Sequence, residues 1–364
     1  MTIFYAFFII LTLCCVLDFY KIETKAVDDF IFFILCSALF FTAATRVDVG
    51  WDYPNYETIF LITKYEAMSI SEIADFFETE PGFAAYVFLM QNFSFYAFIF
   101  ISADICVIPQ VYFIYKLNRN KYLMLLGYYA SSYIFFDISG IKQAISLSIL
   151  IFSYKYIIKR RFLPFISVVF AASLFHSSAA FLTPLFFVGE KKFHLKIYAA
   201  AGILAWAFSV FNVSDMMQTA VGALNISFIV SKFDHYVVGS WGDLTSSLIQ
   251  RVFVRFVVLC LLLRKNETDT GAAPEQKGEY FWLSMNAYTL SILLFSMLLP
   301  MPWLAGRGLT CLYLFQIGCF AYFPIEEFDP KRIILYALFI IMMFAAFYGP
   351  VSAEGYGDYT SWLF

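Results

Sequence analysis

Arg46-Val47-Asp48-Val49-Gly50-Trp51-Asp52-Tyr53-Pro54-Asn55-Tyr56 gathers one arginine, two carboxylates and three aromatic rings into a single short stretch. That mixture suits a sugar. Aromatic faces such as those of Tyr53 and Tyr56 stack on the apolar faces of a pyranose ring, carboxylates such as Asp48 and Asp52 accept bonds from hydroxyls, and Arg46 can hold phosphate with two parallel donors. Asp48, Gly50 and Asp52 would equally make an ordinary turn that caps a helix.

A second group is cationic. Arg251 and Arg255 are four residues apart, so they share one helical face, where two like charges repel unless an anion lies between them. Arg307, in Pro300-Met301-Pro302-Trp303-Leu304-Ala305-Gly306-Arg307-Gly308, and Lys142, just after Gly140, complete the set. A site for a pyrophosphate or another multiply charged anion fits this clustering, whereas basic side chains snorkelling toward headgroups is the plainer explanation.

His176 stands in Phe175-His176-Ser177-Ser178, between two short apolar runs. There an imidazole can serve as general base or phosphate ligand. Glu80 precedes the helix-breaking pair Pro81-Gly82 and is a candidate partner for one of the cations, as are Asp104 and Asp137, for which structural pairing is expected. The sequence contains no GxxxxGK[ST], HExxH or GxSxG pattern and no histidine-rich cluster. Phosphate-driven pumping and zinc hydrolysis lose support, and the expected chemistry uses no metal and no cofactor, with arginines supplying the positive charge.

The elements that position these residues are set by the solvent. Of 364 residues, 62% are hydrophobic and 14% charged, which no soluble domain could cover with polar surface. The expectation is an all-α, polytopic integral membrane protein forming a single transmembrane domain over residues 1–364. About twelve apolar segments fall at 1–19, 29–45, 95–115, 122–138, 140–158, 162–175, 177–189, 197–211, 247–263, 281–299, 308–324 and 331–348. Segments 162–175 and 177–189 are each too short for an untilted crossing, so 162–189 reads as a broken or re-entrant hairpin with His176 at its apex. The seven cysteines lie in apolar segments without ligand spacing and read as small buried hydrophobes.

Orientation follows from the basic residues. Turns 20–28, 116–121, 155–161, 190–196, 264–280 and 325–332 hold 17 of the 24 Lys and Arg. By the positive-inside rule these turns are cytoplasmic and both termini face outward. Residues 155–161 and 190–196 can share a side only if 162–189 goes out and returns. Residues 46–80 and 212–246 become outer loops and 264–280 a cytoplasmic linker. The stretch 64–93 reads as a helix lying on the membrane, broken at Pro81-Gly82. The partners of such a chain are membrane lipids, and nucleic acid is not implied.

Four motifs in order, Arg46…Gly50-Trp51-Asp52-Tyr53…Tyr56, Glu80-Pro81-Gly82-Phe83, Gly140-Ile141-Lys142-Gln143-Ala144-Ile145 and Phe175-His176-Ser177-Ser178-Ala179, resemble the EpsG-like branch of the Wzy-type bacterial polysaccharide polymerases. The resemblance implies a GT-C-like fold in the bacterial cytoplasmic membrane. It also implies a glycosyltransferase that joins undecaprenyl-diphosphate-linked oligosaccharide repeat units at the outer face, in O-antigen, capsule or exopolysaccharide synthesis. A flippase and a chain-length regulator are its implied protein partners. On this reading His176, Asp52 and Arg307 are the catalytic candidates. Arg46, Asp48, Tyr53, Tyr56, Glu80, Lys142, Gln143, Arg251 and Arg255 bind substrate. One departure stands out: the family's Gly-x-Arg-Gln-Ala pattern has lysine at 142, which keeps the charge but cannot grip phosphate with two parallel donors. A related membrane ligase or a lipid-linked glycan transporter are the competing readings. A transporter would more often show internal repeats and charges at mid-membrane.

Overall fold

The computed structural model describes residues 2–19, 24–210, 219, 278–298, 310–321, 330–352, 356 and 359–363. It is helical almost throughout. In chain order the elements are α1 (Thr2–Cys14), α2 (Val16–Phe19), α3 (Lys25–Ala44), β1 (Arg46–Val47), α4 (Tyr53–Tyr65), α5 (Ile70–Phe76), α6 (Pro81–Met90), α7 (Phe95–Leu117), α8 (Lys121–Tyr128), α9 (Ile141–Leu150), α10 (Tyr154–Ile158), α11 (Phe162–Ser173), α12 (Thr183–Val188), α13 (Leu195–Val210), α14 (Gly278–Met297), α15 (Thr310–Phe320), α16 (Pro330–Val351) and β2 (Thr360–Ser361). Among the described residues three helices are long and apolar enough to cross a membrane: Lys25–Ala44, Phe95–Leu117 and Ile141–Ile158. Thr2–Asp18, Pro81–Met90, Phe162–Ser173, Ser177–Val188, Leu195–Phe208 and Tyr336–Val351 are shorter apolar helices. The twelve expected segments are therefore not all seen as spans, and 247–263 lies outside the described residues.

The chain forms two compact units, residues 1–180 with 320–364 and residues 181–319. In the first, contacts at the helix ends define two poles. At one pole the buried Lys121 ammonium pairs with Asp28 at 2.6 Å and Asp29 at 3.4 Å, while Asp18 accepts the first free N–H groups of α8 from Tyr122 and Leu123. At the other pole, about 30 Å away along the 20 residues of α3, Arg46–Val47 pairs antiparallel with Thr360–Ser361. There Phe4 packs edge-on against Tyr356 and Tyr359. Residues 24–28 and 116–121, which carry part of the basic excess, thus share one pole, and the first and last described residues share the other.

Between the poles the segments run alternately. α7 starts where Ser94 caps it by accepting Ala97 N–H and ends on the left-handed Asn118. α8 continues into a nine-residue π-helix, Tyr129–Asp137. Such a widened turn is uncommon and needs outside support. Tyr129 and Tyr133 supply it by donating to the carbonyls of Phe4 and Leu39 at 2.7 and 2.6 Å. In the core, Asp137 is closed by Gln110 at 3.2 Å and by the Tyr128 hydroxyl.

The stretch 46–80 is folded, carrying α4 and α5. α5 is capped reciprocally by Ser69 and Glu72. Pro81-Gly82 does not break a surface helix; Pro81 occupies the first turn of α6, where a missing N–H costs nothing, and so starts one.

The second unit packs α12 and α13 on α14. The buried Asn286 is satisfied on both sides. It accepts from Tyr198 at 2.7 Å and donates to the carbonyls of Gly189 and Lys191 at 2.7 and 2.9 Å.

Candidate functional site

The site is built in the first unit by a close approach of backbones. α11 ends at Ser173, and the chain breaks through Leu174-Phe175-His176 before the 3₁₀ turn Ser177–Leu182. The Leu174 carbonyl, left open by that ending, accepts the Gly82 N–H at 2.8 Å. A Cβ on Gly82 would stand 2.7 Å from that carbonyl oxygen, so only glycine lets the start of α6 seat there. The contact brings Glu80, two residues upstream, to the break carrying His176.

Lys142, in the first turn of α9, meets the same place. Its Nζ donates to Glu80 Oε2 at 3.0 Å and to Thr79 Oγ1 at 3.2 Å, and lies 5.7 Å from the centre of the Phe83 ring. The other Glu80 oxygen, Oε1, accepts the Ser177 N–H at 3.4 Å, so one carboxylate ties the lysine to the histidine segment. Both side chains are partly exposed, 27% for Lys142 and 21% for Glu80. Burial alone would raise the Glu80 carboxyl, but the Lys142 ammonium, and after it His176, hold it below its usual value.

His176 is bracketed. Its Nε2 lies 3.1 Å from the Gln143 amide nitrogen and its Nδ1 2.6 Å from Ser178 Oγ. The Gln143 N–H donates to Nε2, while Nδ1 faces both the Ser178 hydroxyl and, at 3.4 Å, the Ser178 N–H. Gln143 folds back to make this bond over Gly140, where a Cβ would come 2.6 Å from its Oε1. Tyr56 joins through its hydroxyl, which accepts the Lys142 N–H at 3.4 Å.

Five of the sequence candidates therefore converge: Tyr56, Glu80, Lys142, Gln143 and His176. They come from α4, the start of α6, the start of α9 and the break after α11.

The remaining members of the 46–56 stretch lie elsewhere in the same pole. Arg46 is 1% exposed. Its Nη1 donates to the Ala43 carbonyl, while its Nε has no partner among the described residues. Tyr53 is buried with its ring edge-on to Phe95 at 5.3 Å, and the buried Tyr56 ring packs on Phe83 at 5.6 Å, so neighbouring protein rings hold these two aromatics. Asp48 is exposed with φ +53°, and Asp52 stands at the start of α4. Gly50, at φ +105°, seats the loop on the 138–139 turn, and Trp51 N–H donates to Ser139 Oγ at 3.0 Å. Asp104 is exposed on α7 and Asp137 is buried in the core. Arg251, Arg255 and Arg307 lie outside the described residues, as do the loop 212–246, Thr219 excepted, and 264–277 of the linker.

Sequence reasoning gave no role to Thr79 or to the tail residues Tyr356 and Tyr359. Tyr356 bonds Ser139 Oγ at 2.7 Å, Tyr359 donates to Thr42 O at 3.0 Å, and the Trp362 indole donates to Ala44 O at 3.3 Å. Their spacing of three was the available signal.

Chemically, the cluster joins a cation able to meet an anion, an imidazole held at both ring nitrogens, and a carboxylate between them. The model of one protein family, described as the EpsG family, matches residues 29–361 of this sequence. No curated protein and no solved structure matches it.

Proposed function

The chain belongs to the EpsG family, and from that premise we propose that it polymerises a bacterial polysaccharide. It joins oligosaccharide repeat units carried on undecaprenyl diphosphate, at the outer face of the cytoplasmic membrane. The observation that carries this reading is the meeting of Lys142, Glu80, Gln143 and His176 from three separate segments at one pole of the first unit.

In the proposed step the hydroxyl of the acceptor sugar gives its proton to His176 Nε2, taking the place of the Gln143 N–H. The hydroxyl oxygen forms the new bond to the anomeric carbon of the donor chain, and the bond from that carbon to the carrier's diphosphate breaks. The proton moves to the imidazole and the electron pair leaves with the diphosphate, so the step balances. Lys142 faces the charge that develops on the leaving group. Arg307, Arg251 and Arg255 are proposed as further donors to the diphosphate, the role that a second prong would fill where lysine replaces arginine. The outward orientation is supported by the basic residues of 24–28 and 116–121 at the opposite pole, together with the positive-inside rule.

The test is a strain lacking this chain, complemented at matched membrane levels with wild type, His176→Ala or Lys142→Met, and its surface glycan resolved on gels. Wild type restores a ladder of long chains, and both variants leave single-unit product. An unchanged ladder in the null strain removes the reading.

A further inference from the structure

Lys142 is not open in this structure. Its ammonium is held by Glu80 Oε2 at 3.0 Å, in the position that a phosphate oxygen would take, and the same carboxylate reaches Ser177 N–H through Oε1 at 3.4 Å. A carboxylate and a phosphate oxygen offer a lysine the same charge-assisted bond at the same length. With about a quarter of each side chain exposed, the pair lies at an edge that a solute can reach. A pair so placed gains modestly over its solvated halves and can exchange.

We propose that Glu80 is an internal counter-ion that stands in for the donor's diphosphate at Lys142. Arrival of the anion displaces Glu80 and thereby frees the 176–178 segment that carries the base. This rests on the reading of Lys142 as a phosphate ligand and adds an order to it: donor first, then release of the histidine segment. The coupling is physical, because one side chain makes both bonds and cannot keep both after losing Lys142. It reverses the expected sign at Glu80. A residue that binds sugar hydroxyls loses affinity for its ligand on neutralisation, whereas a resident competitor gives affinity back when removed.

The experiment uses the full chain in phosphatidylcholine nanodiscs, with inorganic pyrophosphate as probe followed by calorimetry. Glu80→Gln is expected to tighten pyrophosphate about tenfold, and Lys142→Met to abolish saturable binding. The chain has 3 histidines, so ¹⁵N-histidine spectra resolve His176, assigned by His176→Gln. Pyrophosphate is expected to shift that signal in wild type toward its position in Glu80→Gln without ligand.

Undiminished binding in Lys142→Met overturns the phosphate site and this proposal with it. Loss in Lys142→Met with no tightening in Glu80→Gln overturns the role of Glu80 alone, and so does a His176 signal that ignores pyrophosphate. Should Glu80→Gln fail to fold, Glu80→Asp is the second variant. Its shorter arm cannot span both partners, so a smaller tightening is expected, and none refutes the proposal. A phospholipid headgroup offers the same phosphate chemistry. If phosphatidylglycerol in the discs displaces pyrophosphate, the site belongs to lipid phosphate and the diphosphate assignment fails.

Discussion

Gly82→Ala is the smallest change that should open the site. At this position, in the first turn of α6, alanine would ordinarily be favoured over glycine by about 0.5–1 kcal/mol. Here the added methyl would lie 2.7 Å from Leu174 O and 2.8 Å from Leu174 Cβ, where ordinary contact begins at 3.4 Å. Backbone must yield by roughly 0.7 Å, which stretches the 2.8 Å Gly82–Leu174 hydrogen bond beyond the usual 2.7–3.2 Å range. Overpacking costs about 1–3 kcal/mol and the lost bond about 0.5–1.5. Together they give a loss of about 1.5–4.5 kcal/mol, opposite in sign to the propensity effect. The helix start and the break carrying His176 are pushed apart, so the base is misplaced against Lys142, and misplacement on this scale lowers turnover by about tenfold to a hundredfold. Thermal unfolding of purified protein in detergent, beside polymer yield in complemented cells, reads both. A melting temperature equal to or above wild type with full-length polymer would refute the seating of α6 on the break.

Gly50→Ala should cost at least as much, because its φ of +105° disfavours a side chain and its methyl would lie 2.6 Å from Ile138 O. Folded yield and melting temperature check it. Gln143→Ala removes the donor to His176 Nε2 and should raise the share of neutral imidazole protonated there, visible in ¹⁵N-histidine spectra, and Gly140→Ala should do the same by displacing the Gln143 side chain, at little cost in stability. The Glu80 carboxyl, held below its usual value of 4.5 by Lys142 and His176, is stabilising above that pH, and the contribution disappears as pH falls through its lower folded value. The melting-temperature gap between wild type and Glu80→Gln should therefore be present at pH 7 and shrink as pH falls below 4.5.

Much of the site was legible because its residue types are costly at a membrane pole unless used. Lys142, Glu80 and His176 stand out from an apolar background, and Pro81-Gly82 and Gly140 flag backbone that must come close to something. Pairing was not legible. Nothing in the order of the chain says that Glu80 meets Lys142 rather than an arginine, because the meeting depends on Gly82 seating on Leu174 and on a π-helix setting where α9 begins. The same limit applies to Arg46, whose neighbours in sequence suggested a sugar-facing loop. Its place is set by the tail strand Thr360–Ser361, which pairs with Arg46–Val47 and is distant in sequence. Spans were legible where one helix is long and apolar, as in Lys25–Ala44 and Phe95–Leu117. The segment 122–138 hid a change from α- to π-helix, which hydropathy does not register.

The central claim is most directly tested with purified protein in liposomes supplied with an undecaprenyl-diphosphate-linked repeat unit. Product is resolved by size and free undecaprenyl diphosphate is quantified. The account predicts that wild type converts single units into a ladder and releases one undecaprenyl diphosphate for each bond formed, and that His176→Ala does neither. Movement of the intact lipid-linked unit across the bilayer, with no ladder and no released carrier, would contradict it and make the chain a transporter.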